Sequence, residues 1–567
     1  MQKLKNLLAR IDGQGYKSYK RLEGEFQFAD FRLHIDHAQG DPFAEPSRCR
    51  IVLPLASTGL PHHLFDNSIR RIALEDYLGR RFAADIKSLV REKRGSGRSG
   101  EFNIASYGQQ VLHRSTVLIN APSLEVRFQI GLPANNRRID ADHARIMLIS
   151  ILPGLVGSAL LQAASELEHV EQHVNCIEDQ QYLRAQLAEN DLIAFAADGS
   201  NLARRSGVDE RALDDAIKLV VPDALACELT RKHGPAIRGL AFPVGINLIV
   251  GGGFHGKSTL LRAIEQGVYD HIPGDGREWV VSDPSCFKLR AEDGRAIAGV
   301  DIRPFIQNLP RGEDCQFFTT NNASGSSSQA ASIIEAISAG SKTLLIDEDT
   351  SATNFLIRDT RMQALVPKSS EPITPLLQRI RALKDEQGVS IIMVMGGSGD
   401  YFSVADRVVM MDSYQPCDRT KQARELAASV AEPELEYPGI AQQMARIPQP
   451  GCLSSLAKTG KSKIKAFGTR LLQYGEEEVS LQSLEQLVDT AQLLSIGYLI
   501  DHFDQDKPAQ EFDLVSSLRY EIEKLEQQGF DLITPYPMGK LALPRLQELV
   551  AVVNRMRLLK LRQPEGG

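Results

Sequence analysis

Residues 251–258 read Gly-Gly-Gly-Phe-His-Gly-Lys-Ser. A lysine ammonium, a serine hydroxyl and a run of glycine amides so close together suit a polyphosphate and its counter-cation. Only a backbone nearly free of side chains can curl its N–H groups around such an anion. Lys257 supplies a point charge for the β- and γ-phosphates, and Ser258 offers a hydroxyl to Mg²⁺. Downstream, Asp347-Glu348 places two carboxylates side by side. One can ligate a hard cation, and the other can accept a proton from an attacking water. Stepping outward, Ile246–Val250 is a strand-type run that ends at the glycines. Thr259-Leu260-Leu261-Arg262-Ala263-Ile264 opens a helix whose positive dipole end faces the same anion. The carboxylates close another apolar run, Thr343–Ile346. Strand, glycine loop and helix in that order predict a nucleoside triphosphate site made by Gly251, Gly252, Gly253, Phe254, His255, Gly256, Lys257, Ser258 and Thr259.

A second anion-binding pattern lies at 323–329, Ala-Ser-Gly-Ser-Ser-Ser-Gln, followed by a helical stretch from Ala330 to Ala339 with Ile333, Ile334 and Ile337 on one face. Backbone amides and a serine hydroxyl at a helix N-terminus hold anions. Composition alone also allows a flexible Ser/Gly linker. Its position, shortly before Asp347, matches the signature loop of ABC ATPases, and Thr343–Glu348 resembles their Walker B strand. Asp347–Asn354 parallels the D-loop, and Gln307 is a candidate for the glutamine that senses Mg²⁺ and water.

Taken together, residues 246–281, 290–297, 323–337, 344–359, 371–377 and 396–412 closely resemble the soluble family described as predicted ATPases of the ABC class. Residues 13–20, 36–48 and 94–100 resemble the same family. The resemblance implies an ABC-type α/β core with a mostly parallel sheet, ATP as ligand and no transporter membrane partner. It implies Ser258, Asp347 and Gln307 around Mg²⁺ and Glu348 as the residue polarising water. It also implies that Ser324, Gly325 and Ser326 meet the γ-phosphate held by the opposite copy of a homodimer. Two departures stand out. Asp349 replaces the usual proline after the glutamate. No histidine follows the strand Ser390–Met395, where the chain runs Gly396-Gly397-Ser398. Ser398 or a backbone N–H could donate there, and His255 could supply the missing group or merely pack beside the loop. Slow turnover is expected.

The 567 residues carry a net charge of −7, 43% apolar and 24% charged residues, which excludes a globally basic nucleic-acid binder. Cysteines 49, 176, 227, 286, 315, 417 and 452 form no CxxC pair, so zinc and disulfide scaffolds are not expected and a cytoplasmic setting is. Met1–Asp12 has charges among its leucines and does not read as a signal peptide. Ile146–Ala164 approaches membrane-span length but contains Pro153, Gly154 and Gly157, and is expected to be a soluble helix broken near the proline.

Three domains are expected: an N-terminal α+β domain at 1–235, the ATPase core at 236–425, and a C-terminal, mostly helical lobe with a basic linker at 426–567. Strands are expected at 20–55 and 110–132, and helices at 64–92, 141–195, 208–219, 480–500 and 513–528. A Pro-, Gly- and Lys-rich linker or irregular lobe is expected at 430–465. Two basic clusters could meet RNA or another nucleic acid. One is Arg70, Arg71, Arg80, Arg81, Lys87, Arg91, Lys93, Arg94 and Arg98. The other is Lys458, Lys461, Lys463, Lys465 and Arg470 beside Phe467 and Tyr474. Tyr16, Lys17, Tyr19 and Lys20 could stack on adenine or cap a strand against the core. The competing reading of the chain is a nucleotide-gated scaffold that regulates a protein partner with little hydrolysis.

Overall fold

The computed structural model describes residues 1–90, 95–359, 365–366, 370–428, 440, 444–505 and 512–563. The chain divides into two compact units. One comprises Met1–Glu178 with Leu525–Leu543, the other Asp179–Lys524 with Pro544–Gly567.

In the first unit, antiparallel strands Gly24–Gln27, Arg32–His37, Ser47–Pro54, Ser123–Ile130 and Phe102–Asn103 lie in that order, with Val117–Asn120 also pairing Ser123–Ile130. Strand Ser47–Pro54 alternates strictly, burying Cys49, Ile51 and Leu53, as a half-buried sheet requires. Helix Ser68–Leu89 starts at Asn67, whose side chain accepts from Arg70 N, and buries Leu74, Leu78, Phe82 and Ile86. Leu525–Leu543 joins the unit through Arg127, whose Nη1 lies 2.6 Å from Asp531 Oδ1, and through Ser115 N donating to Leu541 O.

Pro153 does not break its helix. Ala141–Leu161 runs on through two widened π-type turns, Ile146–Ile151 and Gly157–Leu161. A widened turn just upstream gives room for the ring and absorbs the missing N–H. Among the described residues this is the one helix long and apolar enough to cross a membrane. Here Met147, Leu148, Leu152, Leu155, Val156 and Leu160 are buried in the unit.

Tyr16 and Tyr19 are buried, and their hydroxyls donate to Leu132 O and Pro133 O at 2.8 and 2.7 Å, so they cap the core. The Gly-Ser-Gly loop is closed too, since Ser96 N donates to Ala134 O and Arg98 N to Pro42 O.

In the second unit, Ala226–Leu229, Ile237–Pro243, Leu192–Ala197 and Val280–Ser282 form a four-stranded antiparallel sheet. The helix expected at 141–195 therefore ends at Glu189. Leu192–Ala197 becomes a strand because both its neighbours pair with it. The helix expected at 208–219 is instead a hairpin, Arg204–Ser206 with Asp209–Ala212, turned at Gly207, followed by irregular chain.

The main sheet runs Phe287–Leu289, Thr343–Asp347, Ser390–Val394, Ile246–Val250, Arg407–Asp412, all parallel, with Gln415–Asp418 antiparallel at one edge. Its interior strands are buried on both faces. This places the ends of Ile246–Val250 and Thr343–Asp347 on the same edge, one strand apart. The expected linker lies partly outside the described residues. Beyond it, Ile464–Phe467, Leu471–Tyr474 and Glu477–Ser480 form a three-stranded sheet packed on helix Thr490–Gln505.

Candidate active site

The glycine loop leaves the sheet at Gly251 and enters helix Lys257–Gln266 at Gly256. Gly251 has φ +136° and a Cβ there would lie 2.4 Å from Met411 O. Gly256 has φ +95° and would meet Tyr414 Cδ1 at 2.8 Å. Neither position tolerates a side chain. Phe254 is also left-handed, at φ +63°, and is 98% exposed. Lys257 Nζ donates to Gly251 O and Gly252 O at 2.8 and 2.7 Å, folding its ammonium over the loop.

His255 presents its Nε2 edge to the loop, 3.4 Å from where a Cβ on Gly252 would stand. Its Nδ1 accepts from Ser413 N at 2.8 Å and lies 3.2 Å from Asp412 Oδ1, and its carbonyl accepts from Tyr414 N. The imidazole ties the loop to the hairpin turn at Ser413-Tyr414.

Three elements from distant parts of the chain converge opposite Lys257. Glu348 Oε2 accepts from Gly396 N at 2.5 Å and from Gly397 N at 2.9 Å. A methyl built on Gly396 would lie 3.8 Å from that same oxygen and 3.9 Å from Lys257 Nζ. Lysine, glutamate and the loop that lacks a histidine therefore surround one point. A side chain on Gly397 would crowd Glu348 Oε1 at 3.0 Å, which accounts for a glycine there. Ser398 turns away: its hydroxyl donates to Asp400 Oδ2 at 2.7 Å and accepts from Asp400 N. The donors at the switch position are amides, not the serine. Beneath them, Tyr401 is fully buried and donates to Leu356 O at 2.8 Å, and burial holds its hydroxyl well above the usual phenol range.

Asp347 Oδ1 accepts from Asp349 N at 3.2 Å, while Oδ2 lies 4.0 Å from the ammonium of buried Lys288 on the neighbouring strand. The Ser258 hydroxyl is exposed. A hydroxyl and a carboxylate are hard oxygen donors that fit Mg²⁺, and no group of three His, Cys, Asp or Glu among the described residues could hold a metal alone. Gln307 donates through Nε2 to Arg303 O and through its backbone to Pro372 O, and it lines a surface cavity with Asp301 and Asp314. No described hydrogen bond joins it to Asp347 or Ser258.

The serine-rich segment forms helix Gly325–Ser338, capped by Ser324. Ser326 Oγ donates to Asn354 Oδ1, and the loop borders a cleft of about 360 Å³ with Asp293, Ile306 and Ile373. Gln329, fully buried, donates to Ser351 Oγ and accepts from Ala352 N, both at 2.9 Å. This lock between the serine helix and the turn after Glu348 was not anticipated from the sequence; the Gln at the end of the motif was its only trace. Among the described residues, no hydrogen bond joins Ser324–Ser327 to residues 251–259.

The two basic clusters differ. Arg70 pairs with Glu178, Arg80 with Asp76 and Arg81 with Glu166, so much of the first is neutralised. Arg91, Lys93 and Arg94 lie outside the described residues. In the second, Lys461, Lys465 and Arg470 are exposed, Phe467 is 55% exposed, and no described ion pair engages any of its basic residues. Tyr474 is buried, its hydroxyl donating to Leu453 O.

Three stretches of the chain match models of known protein families. Residues 166–446 match the model of an ABC ATPase P-loop domain, residues 1–163 that of the N-terminal region of ATPases of the ABC class, and residues 463–562 that of the MRB1590 C-terminal domain. An uncharacterised protein of Methanocaldococcus jannaschii is 32% identical over 247 residues, 42% of this chain and 54% of its own length. The chain thus matches about half of that curated relative. Among solved structures, cbiO1 from Clostridium perfringens, part of the ABC transporter complex cbiONQ, is 13% identical over 42% of this chain and 93% of its own, with a TM-score of 0.25. The ATP-binding cassette of an ABC transporter in its ADP conformation gives 10% identity, 43% and 96% coverage, and the same TM-score.

Proposed function

This chain belongs to the ABC class of P-loop ATPases, and on that premise we propose a slow Mg²⁺-dependent ATPase whose sites are completed in trans within a homodimer. ATP binding follows from the family. What carries the rest is the convergence of Lys257, Glu348 and the amides of Gly396 and Gly397 on one point. In this reading the loop amides and Lys257 hold the β- and γ-phosphates, and Ser258 and Asp347 hold Mg²⁺. The bound cation would offset phosphate charge as the terminal phosphoryl departs. Glu348, fixed by two amides, orients water and accepts its proton. Ser324, Gly325 and Ser326 of the second copy cover the γ-phosphate from the far side. No cation occupies the switch position, which is the physical reason for slow turnover.

The partner we assign is RNA or another nucleic acid, held by the Lys461, Lys463 and Lys465 strip beside exposed Phe467. Seven free cysteines support a reducing, cytoplasmic setting. The rival reading, a nucleotide-gated scaffold, draws on the glycine-only switch loop. Steady-state phosphate release separates the two. The ATPase reading expects Glu348→Gln to abolish turnover that wild type shows; equal rates for the two proteins would favour the scaffold.

A further inference from the structure

The phosphate loop carries one side chain that phosphate chemistry does not use. Phe254 has φ +63°, and its ring is 98% exposed. A bulky residue in the left-handed region is strained, and glycine would sit there freely. A bare phenyl ring also forgoes the stabilisation that burial gives. Covering the ring in another state of the protein offsets both costs, and strain of this kind clusters at clamps and switch regions.

A matching surface lies beside the serine helix. Ile306 and Ile373 pair across an antiparallel bridge, fastened by Gln307 N donating to Pro372 O and Thr374 N to Phe305 O. These main-chain bonds make the surface preformed. Ile306 and Ile373, with Leu309 and Pro372, are the apolar lining of the cleft of about 360 Å³ that Ser324–Ser327 also border. An apolar cavity of about 150 Å³ takes a benzene ring, so this cleft has room for a phenyl side chain. The ring does not fill the cleft of its own copy, because it stands bare.

We propose that in the ATP-bound homodimer Phe254 of each copy seats in this cleft of the other. The inference rests on the trans reading above, in which the γ-phosphate lies between the loop of one copy and Ser324–Ser326 of the other. Phe254 is three residues from Lys257. Its Cα is therefore within about 11 Å of the lysine's, and the cleft adjoins those same serines. A movement that brings the serines to the phosphate brings the ring to the cleft. Twofold symmetry makes the contact reciprocal, with two rings in two clefts. The nucleotide draws the polar loops together, and the rings add apolar burial that holds the closed pair.

Sedimentation equilibrium of the full chain in saturating MgATP tests this, in a Glu348→Gln background that keeps ATP intact. Phe254→Gly removes the ring and suits the left-handed backbone; Phe254→Tyr keeps the ring. The expected result is self-association roughly a hundredfold or more weaker in Phe254→Gly, since each dimer loses two buried rings, and near wild type in Phe254→Tyr. Ile373→Asp, on the cleft side, should weaken it comparably. In a second measurement, Phe254→Cys mixed with Ile373→Cys should form a disulfide-linked dimer under mild oxidant in MgATP that neither variant forms alone. Self-association of Phe254→Gly as tight as wild type overturns the proposal. So does a mixture without cross-link under conditions where wild type dimerises. A wild type that remains a single copy in MgATP overturns the trans reading itself, and this inference with it.

Discussion

Replacing Gln329 with leucine isolates the lock between the serine helix and the turn after Glu348. The side chain is fully buried, donates to Ser351 Oγ and accepts from Ala352 N. Leucine is close in volume and opens little cavity. Ser351 keeps its donor bond to Asp347 O at 2.9 Å, so it loses little. Ala352 N loses its acceptor, and an orphaned amide costs about 1–3 kcal/mol. Added apolar burial returns about 1 kcal/mol. A net cost of up to about 2 kcal/mol raises the open population of this turn by up to roughly 30-fold. Hydrogen exchange read by mass spectrometry on peptides spanning 347–356 should show that increase in Gln329→Leu. Ser351→Ala should give a smaller one, because Ala352 N keeps its partner. ATP turnover should fall in Gln329→Leu, since the serine helix no longer moves with the catalytic turn. Exchange at 351–354 equal to wild type would refute the lock.

Other expectations follow from single contacts. Burial pushes Glu75 up to about 8, against a backbone bond from Ile119 N and the nearby Arg71 that pull it down. The folded state then holds a proton that the unfolded chain releases near pH 4.5, so stability falls as pH rises from about 5 to 8. The full span is worth on the order of 4–5 kcal/mol, and thermal melts of Glu75→Gln should lose most of that slope. Gly256→Ala combines a positive φ with a clash against Tyr414; strain of about 1–2 kcal/mol should weaken MgATP binding on the order of tenfold, measured beside circular dichroism for folding. Changing Lys461, Lys463 and Lys465 together to alanine should flatten the salt dependence of single-stranded RNA binding by about 2 in log–log slope. No wild-type binding at low salt would end the nucleic-acid reading.

Local chemistry was legible where the deciding residues are neighbours in sequence. Strand, glycines, lysine and helix at 246–266 need no distant partner, and the alternation at 47–54 announces a half-buried strand. What escaped depends on residues far along the chain. His255 is fixed by a turn 158 residues later. The cationic run at 70–81 is neutralised by Glu166 and Glu178, which no local reading weighs. At the switch position the sequence left a serine hydroxyl and a backbone N–H both open; Asp400, two residues on, engages the Ser398 hydroxyl, while the amides of Gly396 and Gly397 donate to Glu348. The helix expected at 208–219 gave way to a hairpin because Gly207 offers a turn and cross-strand pairing outweighs weak helical periodicity.

Mixing two inactive variants tests the trans arrangement most directly. Lys257→Ala lacks a working phosphate loop, and Ser326→Arg blocks the serine loop. A heterodimer of the two keeps one complete site, built from the loop of one copy and the serine helix of the other. Random pairing predicts phosphate release recovering to about a quarter of the wild-type rate. A mixture as inactive as its components, with light scattering showing a single copy in the presence of MgATP, would contradict the account.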